Sequence, residues 1–432
     1  MELILKSDPD YQQKLQALYQ RPDCPPEITN IVAKIVADVK ENGNHAIERY
    51  LKDIDGVELK AEQFAVTDEE DREAAAAVDA ASRKAMRTAI RNIRAFARKT
   101  LPKDWKFSPR PGVIQGEKFT PMERVGCYIP GGTAPLVSTV IHTIAIAKAA
   151  GVREIVAVTP PMKNGKVNPA TLYAMKLAGA TEVYKLGGAY AVAALGYGTE
   201  TIRKTDKLVG PGNAYVAAAK KLVYGSTAID MVAGPSEIMV VADQSVPKEF
   251  AAADILSQAE HGSGLEQAVL VSDSVDFLNA VRDEIYHQAE SLSRQGPLSK
   301  VLANGVFLIQ AADMQDAAEI AGNYAPEHLE LMCRNAGTLA KKIKAAGAIF
   351  LGPWTPEPAG DFTAGPSHVL PTAGTAKFFH GISASDFMRR SSIIQYTRNA
   401  LMKEVDDIAQ FAKLEGLDAH GRSATIRRDL NK

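Results

Sequence analysis

Gln258 and His261 stand three residues apart where an apolar-patterned helix ends, so they project from one face. An amide oxygen and an imidazole presented together form half of a metal or substrate site. Taken alone, the pair also fits an ordinary helix end whose histidine meets the C-terminal dipole. A second pair, Glu327-His328, follows Asn323-Tyr-Ala-Pro326. The proline fixes the local chain direction, and an acid beside an imidazole supplies two general bases for neutral pH; read in isolation it is a surface Glu-His pair. Gly360-Asp361 and Gly365-Pro-Ser-His368 surround a carboxylate and an imidazole with chain-turning residues. The stretch reads as a loop able to approach a ligand, not as a helix. His420 lies four beyond Gly416, with Glu415 just before that glycine. Gln258, His261, Asp361 and His420 together offer two nitrogens and two oxygens, a zinc set with room for substrate. Their spacing matches no compact metal motif. His45, His142, His287 and His380 read as surface or packing histidines.

The elements that must position these residues change character along the chain. Residues 1–25 read as an arm ending in Arg21-Pro-Asp-Cys-Pro-Pro26, and residues 26–124 as a helical segment packing with the second of two sheet domains. Within it Thr67-Asp-Glu-Glu70 is a capping box opening one long Ala-rich helix to about Arg98. The basic residues of that helix are spaced as on a solvated face. Residues 101–125 are a connector or small hairpin. From Val125, short apolar strands alternate with helices, which predicts βαβ units and parallel sheets. The expected fold is α/β: two tandem, incomplete Rossmann-like domains over 125–236 and 237–375, with N-terminal helices and a C-terminal tail over 376–432. Strand signal fades after Ala373, and residues 399–415 read as one amphipathic helix. The tail is too small for a core of its own and should pack on the body or on another subunit.

Glycines cluster where strands of the first sheet should end: Gly131-Gly132, Gly187-Gly188 and Gly210-Pro-Gly212. Such turns let backbone N–H groups approach a pyrophosphate, and they also serve as plain α/β connections. The dinucleotide fingerprint is absent, because Tyr215 occupies its third glycine position. The 432 residues are 46% hydrophobic and 23% charged with net charge -1, which leaves no electrostatic footprint for nucleic acid or a membrane surface. Three scattered cysteines form neither a disulfide framework nor a zinc-finger spacing. With no membrane-length apolar run and no signal-peptide pattern at Met1-Glu-Leu-Ile-Leu-Lys6, the expected compartment is the cytoplasm.

Several ordered stretches resemble the histidinol dehydrogenase family over nearly the whole chain. They are Val125-Gly-Cys-Tyr-Ile-Pro-Gly-Gly132, Val209-Gly-Pro-Gly-Asn-Ala-Tyr-Val216, Ala233-Gly-Pro-Ser-Glu237, Ser257-Gln-Ala-Glu-His261, Ala325-Pro-Glu-His-Leu-Glu330, His368-Val-Leu-Pro-Thr372 and Glu415-Gly-Leu-Asp-Ala-His420. The resemblance implies an intertwined homodimer with one zinc ion per subunit, held by Gln258, His261, Asp361 and His420. It implies that Glu415 and His420 come from the partner subunit. Glu327 and His328 match the acid–base pair. Ser236, Gln258, His261, Glu327, His328, Asp361, His368, Glu415 and His420 match substrate contacts, and Tyr128, Tyr190 and Asn213 fall at NAD contacts. The implied reaction is the four-electron oxidation of L-histidinol, through bound L-histidinaldehyde, to L-histidine with two NAD.

Three positions depart from the family pattern. Tyr190 stands for a usual Gln that touches NAD, Phe362 for a Tyr, and Ser367 for an Asn before His368. A paralogous zinc- and NAD-dependent dehydrogenase acting on another amino or sulfonated alcohol is the nearest alternative. Ser236, Glu330, His368 and Glu415, which the resemblance places around the imidazole and amine, favour histidinol. A non-catalytic binding protein on the same fold predicts loss of a ligand or of Glu327-His328, and neither is lost.

Overall fold

The computed structural model describes residues 1–21, 25–131, 135–261 and 264–430. Cys24 and Gly132, named above, lie outside the described residues. Strand β1 (Glu2–Ile4) and helix α1 (Tyr11–Tyr19) form the arm. Then come α2 (Pro26–Tyr50), α3 (Asp68–Ala77) and α4 (Ala80–Lys99). The Thr67 capping box is present: Glu70 N–H donates to Thr67 Oγ1 at 3.2 Å, and Thr67 N–H to the Glu70 carboxylate at 2.8 Å. The single long helix expected from it is two. Val78 is extended and Asp79 caps a fresh start, accepting from Ser82 N–H at 2.9 Å.

A hairpin, β2 (Trp105–Arg110) and β3 (Val113–Pro121), leads to β4 (Arg124–Tyr128), α5 (Val137–Ala150), β5 (Glu154–Val158), α6 (Pro169–Ala178), β6 (Glu182–Tyr184), α7 (Gly188–Tyr197), β7 (Lys207–Val209), α8 (Ala214–Val223) and β8 (Ala228–Ile229). Strands β4 to β8 form a five-stranded parallel sheet in the order β6-β5-β4-β7-β8. Central β4 is buried along its length, as a parallel strand covered on both faces must be. Next come β9 (Glu237–Ala242), α9 (Lys248–Ala259), β10 (Gln267–Ser272), α10 (Val275–Ala289), α11 (Gln295–Asn304), β11 (Val306–Gln310), α12 (Met314–Tyr324), β12 (His328–Met332), α13 (Ala336–Ala340), β13 (Ala348–Leu351) and α14 (Glu357–Phe362). They build a six-stranded parallel sheet, β1-β11-β10-β9-β12-β13. The arm therefore supplies an edge strand, with β1 beside β11.

Two expectations about packing are corrected. The N-terminal helices do not lie on the second sheet. Val32, Ile35, Val36, Val39 and Ile47 of α2 share one core with Tyr190, Val192 and Leu195 of α7 and with Val216 and Val223 of α8. Helices α3 and α4 pack on α6 and α5. The apolar stripes of these helices thus meet the helical layer of the first sheet. The strand signal also does not end at Ala373: β14 (Met388–Tyr396) runs nine residues antiparallel to β3. Its alternation is hard to read because it is solvent-facing over most of its length.

The chain divides into two compact units, residues 1–100 with 122–387, and 101–121 with 388–432. The second unit is the antiparallel sheet β14-β3-β2 with α15 (Arg398–Met402), α16 (Val405–Glu415) and α17 (Asp418–Asp429). The helix expected over 399–415 breaks at Lys403-Glu404, where Glu404 holds Arg110 and accepts from Tyr396 Oη at 2.9 Å. So the tail builds its core with the hairpin. Even so, Phe107, Ile394, Phe411, Leu414 and Leu430 remain exposed.

Candidate active site

Glu327 and His328 sit at the amino end of β12, beside the amino end of central β9. Ala325 closes α12 in the left-handed region (φ 53), a conformation costing a non-glycine residue about 1–2 kcal/mol. Pro326 then turns the chain, and His328 opens the strand opposite Ile238 and Ala348. One backbone residue clasps both side chains. Glu237 N–H donates to Glu327 Oε2 at 2.9 Å, and Glu237 C=O receives His328 Nδ1 at 3.2 Å. A donating Nδ1–H leaves Nε2 as the basic nitrogen. His328 Nε2 lies 3.5 Å from Asp361 Oδ1 and 3.8 Å from Glu357 Oε1.

Both members of the pair are buried. Burial pushes the Glu327 carboxyl up to about 8, against the pull of the adjacent imidazole. Burial works against a charged His328, but the carboxylates of Glu327, Asp361 and Glu357 outweigh it and push the imidazole up to about 10.

Asp361 corrects an expectation. It lies on the short helix α14, not in a loop. Pro356 and Pro358 sit at the helix start, where a missing N–H costs nothing. Gly360 is required because the Phe350 ring packs on it; an added Cβ would lie 2.5 Å from the ring. The result aims Asp361 at two imidazoles, His328 and His368, the latter with Nδ1 also 3.5 Å away. Glu357, one helical turn earlier, accepts from Ser257 Oγ at 3.0 Å. Glu357 was missed in the sequence because nothing distinguishes it from a helix-start acid. Glu330, expected near substrate, is buried beside Asp254 of α9 and next to Glu357. Burial and the Asp254 carboxyl hold Glu330 well above the usual carboxylate range, and burial pushes Asp254 up to about 6.

Gln258 lies fully buried in the last turn of α9. His261 falls two residues past the helix end and is exposed, its N–H returning to Gln258 C=O at 3.3 Å. Ser236 immediately precedes β9 and is half-buried. Glu415 ends α16 and His420 lies in the first turn of α17, both exposed, in the second compact unit.

A metal fits this chemistry. Among the described residues neither amide atom of Gln258 has a hydrogen-bond partner, and the same holds for Asp361 Oδ1, Glu357 Oε1, His328 Nε2 and His368 Nε2. An orphaned buried amide costs about 2–7 kcal/mol against an apolar reference, so such groups imply a missing polar ligand. His328, Glu357 and Asp361 bring donor atoms within 4.8 Å of one another. Asp361 is common to this cluster and to the quartet expected from the sequence.

The residues expected at the cofactor lie elsewhere, at the carboxyl ends of the first sheet. Asn213 is exposed and caps α8, accepting from Tyr215 and Val216 N–H at 3.1 and 3.2 Å. Tyr128 is buried, and its hydroxyl accepts Gly188 N–H at 3.1 Å. Tyr190 is the third residue expected at the cofactor. It is fully buried, stacks on Tyr50, accepts Gly187 N–H at 3.1 Å and donates a short hydrogen bond to Asp55. Phe362 is exposed. Ser367 Oγ donates to His142 C=O at 3.1 Å and accepts Val369 N–H at 3.1 Å, so this hydroxyl serves the backbone.

A family model described as histidinol dehydrogenase matches residues 20–428. Histidinol dehydrogenase of Syntrophotalea carbinolica is 44% identical over 429 residues, 99% of each chain. That of Bacillus subtilis is 44% identical over 397 residues, 92% of each. The crystal structure of histidinol dehydrogenase from Elizabethkingia anophelis superposes with a TM-score of 0.94 at 35% identity, covering 100% of this chain and 99% of that one. No helix among the described residues is long and apolar enough to cross a membrane.

Proposed function

Because this chain belongs to the histidinol dehydrogenase family, we propose that its buried acid–base pair oxidises L-histidinol to L-histidine in two NAD-linked steps. The observation that carries the reading is the Glu237 clasp, which orients Glu327 and His328 with one peptide group on either side. Zinc, when bound, supplies an orienting and polarising charge for the substrate amine and imidazole, and NAD supplies the hydride acceptor.

Gln258, His261 and Asp361 would hold the metal, with His420 as fourth ligand. His328 stays free of it, since a coordinated Nε2 has no lone pair left for a proton. In its neutral form, whose share grows as pH rises toward the raised imidazole value, His328 Nε2 takes the alcohol proton in the first oxidation. Glu327 then withdraws a proton from water as it adds to the bound aldehyde; a carboxyl raised toward neutral pH is matched to that work. His328, restored to its basic form, takes the hydroxyl proton of the hydrate in the second oxidation. The burial of both groups protects the aldehyde from bulk water. Ser236 and His368 contact the substrate, and Tyr128 and Asn213 line the cofactor side.

The exposed apolar residues of the second unit support a homodimer in which Glu415 and His420 complete the partner's site. The compartment is the cytoplasm. Zinc-loaded protein offered equal L-histidinol and a sulfonated diol should consume histidinol and yield L-histidine. Preferential use of the diol would place the chain with the paralogous alcohol dehydrogenases.

A further inference from the structure

Helix α5 belongs to the first sheet, yet its buried His142 lies under the segment that follows α14 of the second. We propose that His142 is a positioning residue that fixes the 361–368 segment, and through it the orientation of His368 against the substrate. Three contacts carry this. His368 N–H donates to His142 Nδ1 at 3.0 Å. Ser367 Oγ donates to His142 C=O at 3.1 Å. The two imidazole rings lie 4.4 Å apart, tilted by 46°. Side chain and backbone of one residue thus hold two consecutive residues of the segment.

The bond to Nδ1 fixes the tautomer. An Nδ1 that accepts an N–H carries no proton, so the ring is neutral with its proton on Nε2. That neutral ring is fully buried. An apolar side chain of the same size would leave the His368 amide without an acceptor. With its amide held, His368 has one ring nitrogen toward Asp361 and the other, Nε2, unpartnered among the described residues and free for substrate. A histidine was not required here for packing alone, since its neighbours Ile141, Ile144 and Ala145 are apolar. The inference rests on the reading of His368 as a substrate contact.

The test compares H142L, which removes the acceptor, with H142N, whose amide oxygen takes the place of Nδ1. The readouts are KM and kcat for L-histidinol, and L-histidinol and NAD affinity by calorimetry. In H142L, KM and Kd for L-histidinol should rise roughly tenfold or more. NAD affinity and kcat should change far less, and H142N should return to within about threefold of the parent. An H142L protein within about twofold of the parent overturns the proposal, as does an H142N as impaired as H142L. Should H142L fail to fold, S367A is read instead. It should raise the histidinol KM about threefold, and no change overturns the proposal. A parent protein that does not oxidise histidinol at all would refute the functional reading itself, a separate outcome.

Discussion

The two parallel sheets are built alike, yet they treat buried polar groups in opposite ways. At the carboxyl edge of the five-stranded sheet every such group described above has a partner inside the chain. Tyr190 and Tyr128 take the Gly187 and Gly188 amides. Gly210 has both backbone groups tied by one buried ion pair, its N–H to Asp230 at 2.8 Å and its C=O to Lys220 Nζ at 2.9 Å. At the amino edge of the six-stranded sheet, Gln258, His328, Glu357, Asp361 and His368 keep buried atoms without partners among the described residues. A closed set of hydrogen bonds makes a rigid platform, whereas open ones mark where a ligand completes the structure. On the proposed function the difference also separates roles: the platform would face the cofactor, and the open edge the metal and substrate.

Breaking the open edge should cost activity without stability. H328N should lower kcat by roughly 10³-fold or more, the upper part of the range for a lost general base, with the urea midpoint near that of the parent. A parallel loss of stability would mean the histidine is structural. Breaking the closed edge should do the reverse. K220M leaves the Asp230 carboxylate buried and alone, and should cost about 3–5 kcal/mol of unfolding free energy in urea titration. The K220M/D230L double variant should regain much of that loss; no recovery would deny that the two act as a pair.

The metal assignment sharpens the contrast. D361A should weaken zinc binding by more than about 100-fold, the larger loss known for outer-shell changes alone, as read by chelator competition and metal analysis. Unchanged zinc affinity would move the ion away from Asp361. The smallest effect belongs to Y190F. It strips one partner each from the Gly187 amide and Asp55, and should cost about 1–3 kcal/mol of stability by urea denaturation. An NAD affinity that falls more than stability does would restore Tyr190 as a direct cofactor contact.

Much of this contrast could be read from residue types, and the limits have physical causes. Alternating strands and helices from Val125 onward reported both parallel sheets, because fully buried strands are short, apolar and set off by glycines. The Thr67 box marked a true helix start, but Asp79 looked like one more helical acid and hid the second cap. Periodicity says which face of a helix is apolar, not which surface it meets; hence α2 was expected on the wrong sheet. Asp361 looked like a loop residue because Gly360, Gly365 and Pro366 read as chain-turning, whereas Pro356 and Pro358 ahead of it open a short helix, where proline is neutral. Gln258, Glu327, His328 and Asp361 were legible as donors. Glu357 and His142 were not, because their significance lies in neighbours 29 and 226 residues away in sequence. The nine-residue β14 escaped because an exposed strand in a small antiparallel sheet shows little apolar alternation.

The most direct test of the central claim is the ratio of NADH to L-histidine when zinc-loaded protein consumes L-histidinol with excess NAD. About two NADH per histidine, with no free aldehyde trapped, is the result expected from one buried acid–base pair serving both oxidations. A ratio near one with aldehyde released into solution, or no NADH from protein that holds zinc, would contradict it.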